Sequence, residues 1–216
     1  MEKKKDTLKI SVDVNQKFTP DLIVLSIHDT QLARDTKQAL ELSNTLFSKL
    51  QSSLQHLGFD ESALKTRSYN TFEKREYVDQ REKVLGIQYT HELELSFLRE
   101  SNQLDAVLSL FLKDFKTTTF TINYQLSKMD ELKDQLLTKA IQQAIHKAKI
   151  IADAATMKLG TIVSVTNQQI VDDIPLYARP ERNMAMKAMD SGLEFNQMTP
   201  VEQELSESIT VEFEIL

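Results

Sequence analysis

The sequence predicts an α+β fold, a mostly antiparallel sheet with two long amphipathic helices and one short helix packed on it. Three observations lead there. Most apolar runs alternate with polar residues at a period of two, as half-buried strands do. Two stretches, opening near Asp35 and Asp130, repeat apolar residues at three- and four-residue spacing, the mark of a helix with one buried face. Strands also follow one another in hairpin-like pairs, which favours antiparallel pairing over a doubly wound parallel sheet.

Taken in order, Leu8, Ile10, Val12 and Val14 alternate with Lys9, Ser11 and Asp13 as a first strand. Gln16 to Asp21 turns at Pro20, and the nearly all-apolar run Leu22 to Ile27 reads as a second strand, covered on both faces or central in its sheet. Asp35 is placed as an N-cap with Gln38 three residues on. Ala39, Leu40, Ser43, Leu46, Phe47, Leu50, Leu54 and Leu57 then line one side of a helix that stops at Gly58. A long hairpin follows, with His91, Leu93, Leu95 and Phe97 facing inward near its end and a charge-dense tip around Glu73 to Lys83 projecting into water. A short helix from Ser101 turns Leu104, Val107, Leu108, Phe111, Leu112 and Phe115 inward, and Phe120, Ile122, Tyr124 and Leu126 alternate as the next strand.

The stretch Asp130 to Gly160 reads as the central packing element. Leu136, Leu137, Ala140, Ile141, Ala144, Ile145, Ala148, Ile151, Ala152 and Ala155 form a wide apolar stripe, and its alanines allow close approach to a sheet. Ser127 is the expected N-cap, and Gly160 the expected left-handed residue past the last turn. Thr161 to Ile170 is rich in strand formers, residues 172–199 lack any period and form a long irregular loop, and Ile209, Val211, Phe213 and Ile215 close the chain as a strand. The 216 residues read as a single domain containing two βαβ-bearing halves, about 1–115 and 116–216.

Composition limits function. Apolar residues make up 41% and charged residues 27%, an ordinary globular balance, and there is no cysteine for a disulfide, a thiolate metal site or a thiol nucleophile. A net charge of −6 offers no general attraction to nucleic acid or anionic lipid. The one basic cluster, Lys3 to Lys5, reads as a solvated tail. No apolar run reaches the roughly 18 residues of a membrane span. The start MEKKKDTLKI has no apolar signal core, so a full-length chain is expected in the cytoplasm and one trimmed of a leader would be exported.

The residues that carry chemistry do not assemble into a motif. His28, His56, His91 and His146 sit on different elements without metal-ligand spacing, and His91, on the apolar parity of its strand, reads as a satisfied core histidine. No serine occupies a G-x-S-x-G elbow, and the four glycines build no phosphate loop. Glu92 and Glu94 share the solvent face of their strand. Lys147 projects about 60° from Ala144, at the edge of the apolar stripe, where its ammonium is expected to snorkel or meet a carboxylate. The aromatics Phe72 and Tyr77 among the hairpin's charges, and Met184, Met186, Met189 and Met198 in the long loop, suit contact surfaces. No catalytic, cofactor-binding or metal-ligating residue is assigned, and no cofactor is expected.

Ala140, Ala144, Lys147-Ala148, Ala152 and Leu159-Gly160, running into Ile162-Val163-Ser164-Val165, resemble the signature of the SIMPL-domain family, whose exported bacterial members include a periplasmic immunogenic protein. Thr19-Pro20-Asp21, Gly58 with Leu64, Lys65, Thr66 and Tyr69, Gly86, Pro200 and the closing Val211 to Ile215 extend the likeness over nearly the whole chain. The chain departs from the family pattern at Asp13 and Gln203, where glycine is common, and its opening residues are not expected to act as the usual export signal. The resemblance implies an α+β domain without an established enzymatic activity, some of whose members self-associate. The expectation is a non-enzymatic, SIMPL-like protein that forms a homo-oligomer through the hairpin arm Thr71 to Lys83 and the loop 172–199. The alternatives are a monomeric binding module for a peptide or signalling protein, through an exposed strand edge, and a carboxylate-dependent hydrolase.

Overall fold

The computed structural model describes residues 6–78, 81–101, 103–168 and 199–216. Its elements run β1 (Thr7–Phe18), β2 (Leu22–Ala33), α1 (Thr36–His56), β3 (Leu64–Val78), β4 (Arg81–Leu98), α2 (Leu104–Asp114), β5 (Thr118–Gln125), α3 (Met129–Ala154), β6 (Leu159–Gln168) and β7 (Gln203–Ile215). The α+β class and the antiparallel pairing are as the sequence predicts. The strands divide, however, into two sheets, one ordered β1-β7-β6 and the other β3-β4-β2-β5. The loop expected at 172–199 lies outside the described residues except for Thr199.

The chain forms two compact units, whose borders fall at Thr19/Pro20 and Ser127/Lys128 rather than near residue 115. The unit spanning Pro20–Ser127 has the order βαββαβ and the strand order just given. That is the split β-α-β, or ferredoxin-like, arrangement. Its core joins Ile23, Leu25 and Ile27 of β2 and Leu93 and Leu95 of β4 to Leu50 and Leu54 of α1 and Val107, Leu108 and Phe111 of α2. β2 runs six residues beyond the expected Ile27, to Ala33, because it pairs with β4 along its whole length, from Leu22↔Leu98 to Ala33↔Ile87. α2 begins at Leu104 rather than Ser101, after a short 3-10 turn at Arg99–Ser101.

The α1 signals act as read. The Asp35 carboxylate accepts from the Gln38 amide at 2.9 Å, and the Gln38 side chain accepts from the Arg34 amide at 2.7 Å. Gly58 takes φ +88°, and the Phe59 amide donates back to the Leu54 carbonyl at 3.1 Å, closing the helix.

The other unit joins β1, α3, β6 and β7. Ile10, Val12 and Val14 of β1 and Leu205, Ile209, Val211 and Phe213 of β7 turn to one face, where α3 packs chiefly on these two strands. The opposite face is polar, with Ser11 against Thr210 at 2.9 Å and Ser208 donating to Asp13 at 2.6 Å. On α3 the buried residues are Leu136, Ala140, Ala144, Ala148 and Ala152, a single row every four residues. This is narrower than the stripe expected, because small alanines bring the helix backbone close to the sheet and leave Ile151 exposed to one side.

Both expected α3 end signals are corrected. The N-cap is Lys128, without a side-chain cap bond; Ser127 instead donates through its amide and hydroxyl to the Asp21 carboxylate, at 2.8 and 2.5 Å. At the other end Thr156, not Gly160, takes the positive φ, +56°, and the Met157 amide donates to the Ala152 carbonyl at 2.9 Å. Gly160 lies in β6. A Cβ there would come within 2.9 Å of the Glu214 carbonyl oxygen, so glycine serves close strand approach rather than the helix end.

Candidate functional site

Two features of the Pro20–Ser127 unit stand apart from ordinary packing. The first is a polar cluster under α1. The alternation of β4 puts His91 on the inward face, and the helical spacing of α1 puts Ser43 on the same side as Leu50 and Leu54. Ser43 Oγ lies 2.8 Å from His91 Nδ1, and Thr66 Oγ1 lies 3.0 Å from Nε2. Phe47 stacks on the imidazole and Tyr69 meets it edge-on. Burial lowers the His91 pKa, and the charge of Asp29, its cross-strand neighbour, opposes that shift.

Asp29 is fully buried. It accepts from the Tyr89 hydroxyl at 2.7 Å and from Gln31 Nε2 at 2.8 Å. Burial and this hydrogen bond raise the pKa of Tyr89 well above its ordinary value, and burial also raises that of Tyr69. The Tyr69 hydroxyl is buried with no hydrogen-bond partner among the described residues. A cleft of about 280 Å³ opens beside the cluster, lined by Leu40, Ser43, Asn44, Phe47, Thr66, Tyr69 and His91.

The cluster resembles a serine–histidine relay only in part. Such a relay needs an exposed serine and a carboxylate on the second imidazole nitrogen. Here Ser43 is 1% exposed, the second nitrogen meets Thr66, and the Asp29 oxygens are occupied by Tyr89 and Gln31. What the arrangement does chemically is fix a neutral imidazole between two hydroxyls, and a carboxylate between a tyrosine hydroxyl and a glutamine amide, inside a sheet. Two polar residues on the apolar parities of α1 and β4 were the signal for this pair; reading each element alone separates them.

The other residues singled out in the sequence stay apart. His56 and His146 are exposed, and His28 lies 3.8 Å from Glu92 on β2 and β4. Glu92 accepts from Ser68 at 2.9 Å and Glu94 pairs with Arg67, so each carboxylate has its own partner. Lys147 is exposed rather than held at the edge of the buried row. Among the described residues no three His, Asp or Glu side chains are grouped to hold a metal ion, and no helix is long and apolar enough to cross a membrane.

The second feature is the hairpin. β2 ends at Ala33, opposite Ile87, so β3 from Lys74 to Val78 and β4 from Arg81 to Gly86 continue as a ribbon of two strands beyond the sheet. Gly86 sits at its base with φ +146°, where a Cβ would collide with the Ala33 carbonyl oxygen, and Leu85 forms a bulge. On one face Arg75 donates to Glu73 at 2.7 Å and to Glu82 at 3.3 Å. Val84 pairs with Arg75, two residues from Tyr77, so Val84 and Tyr77 share that face. Tyr77 is 76% exposed and Val84 53%; Phe72, on the other face, is 50% exposed.

A family model described as SIMPL, a protein of unknown function (DUF541), matches residues 8–213. The chain belongs to the SIMPL family. A comparison with curated proteins found no match. The residues that carry the SIMPL resemblance thus divide between the units, with Gly58, Thr66, Tyr69 and Gly86 in one and Ala140 to Gly160 in the other.

Proposed function

We propose that this SIMPL protein acts without catalysis, by assembling with copies of itself through the β3–β4 arm. The observation that carries this reading is the ribbon of Lys74 to Val78 and Arg81 to Gly86, which extends past its sheet with Tyr77 and Val84 exposed on one face. A two-stranded ribbon is marginal in water without a packing partner. Exposed aromatic and aliphatic side chains around a paired charge make a contact patch with a polar rim. The cluster around His91 supports the non-catalytic part of the reading, because both imidazole nitrogens are taken up by Ser43 and Thr66 and the Asp29 oxygens by Tyr89 and Gln31.

The test is absolute mass in solution. A Tyr77→Asp, Val84→Asp variant changes only exposed positions, so it should keep the wild-type circular dichroism spectrum while its mass falls to that of a smaller species. An unchanged mass removes the arm from the assembly.

A further inference from the structure

The edge strand β6 is another place where apolar side chains are left exposed among the described residues. β6 is the outer strand of its sheet, next to β7. Ile162 pairs with Phe213 and Val165 with Val211, so both belong to the face that α3 covers elsewhere, yet they are 43% and 47% exposed. Val163, at a register shift between them, is 57% exposed.

Edge strands are normally guarded by charged side chains. From Leu159 to Asn167 there is none, whereas β1, the opposite edge, carries Lys9, Asp13 and Lys17. β5, the uncharged edge of the other sheet, differs because Phe120 to Tyr124 are half-buried. The stretch Thr161-Ile162-Val163-Ser164-Val165-Thr166 is also nearly palindromic. Laid antiparallel against itself, it sets Thr161 opposite Thr166 and Ile162 opposite Val165, with Ser164 and the bulged Val163 at the centre and no like charges facing.

We infer that β6 is a seam on which a second copy of this chain pairs about a two-fold axis, joining two three-stranded sheets into one of six strands. The inference rests on the self-assembly proposed above and adds a contact on the other unit. An isologous strand pair buries Ile162 and Val165 from both copies and satisfies the outward backbone groups of both edges. The arm belongs to one unit and the seam to the other.

The absence of native cysteine makes the test direct. In this register residue 162 of one copy faces residue 165 of the other, within disulfide reach, while the same two positions within one strand are about 10 Å apart and cannot bridge. The full-length Ile162→Cys, Val165→Cys variant, treated with oxidised glutathione, should become a covalent dimer of twice 24.8 kDa. Each single variant should stay largely unlinked. A Val165→Lys variant should lower the assembly mass without altering the fold. An assembly of wild-type mass that yields no covalent dimer overturns the seam and leaves the arm reading standing. A wild-type chain that is monomeric overturns both. An edge covered by another part of the same chain leaves the cysteines unlinked and likewise overturns the seam.

Discussion

Ser43 Oγ and His91 Nδ1 lie 2.8 Å apart across the packing of α1 on β4, with the other imidazole nitrogen 3.0 Å from Thr66 Oγ1. Hydroxyls on both nitrogens give the ring a partner in either protonation state, since each can donate or accept. The cost of protonating His91 is therefore that of placing a charge in a buried site.

That cost sets a pH dependence. His91 has its pKa lowered by burial from an ordinary 6.5, so the unfolded chain takes up this proton at a higher pH than the folded chain. Its contribution to stability is full above about pH 6.5 and is lost as the pH falls from there through the folded-state pKa. Urea midpoints measured from about pH 8 to pH 5 should fall more steeply for the wild type than for His91→Gln. Parallel curves would show that the imidazole is not the group responsible.

The Tyr89 hydroxyl donates to a carboxylate that has no access to solvent. Tyr89→Phe leaves the packing and removes the donor, and should cost about 1.5–3 kcal/mol in urea unfolding, the range for a hydrogen bond to a charged group. Adding Asp29→Asn should recover part of that loss, because the unpaired charge disappears with it. Two additive losses would contradict direct coupling.

Thr156 ends α3 with φ +56°, a conformation that its branched Cβ disfavours. Thr156→Gly should therefore stabilise the protein, by about 1 kcal/mol. Calorimetry should register a higher melting temperature; a lower one would mean that the Thr156 side chain contributes more than its backbone costs.

Alanine at Gly58 and at Gly86 should separate two kinds of glycine. Gly58→Ala makes only an ordinary contact, 3.8 Å from Gln103 Nε2, and suffers chiefly from its φ of +88°, about 1 kcal/mol. Gly86→Ala adds a collision with the Ala33 carbonyl and should lose more, with the damage centred at the base of the arm. Equal losses would show that Ala33 withdraws freely.

Much of this was legible in the sequence, and for identifiable reasons. Period-two alternation at Leu8 to Val14 and Ile209 to Ile215, and the caps at Asp35 and Gly58, are local signals obeyed by local physics. Long-range competition accounts for the misses. Ser127 looked like a cap until Asp21, distant in sequence, took its hydroxyl. Gly160 looked like a helix stop, but its need for a missing Cβ comes from Glu214 on the strand beside it. The division into two sheets and the meeting of Ser43 with His91 depend on strand order, which periodicity does not encode.

The central claim, assembly of copies of this chain, is tested most directly by absolute mass, using light scattering behind a sizing column at low and high salt. The account predicts a discrete multiple of 24.8 kDa that persists in salt, since apolar contacts on the arm and β6 would hold it. A single species of 24.8 kDa at both salt concentrations would contradict it.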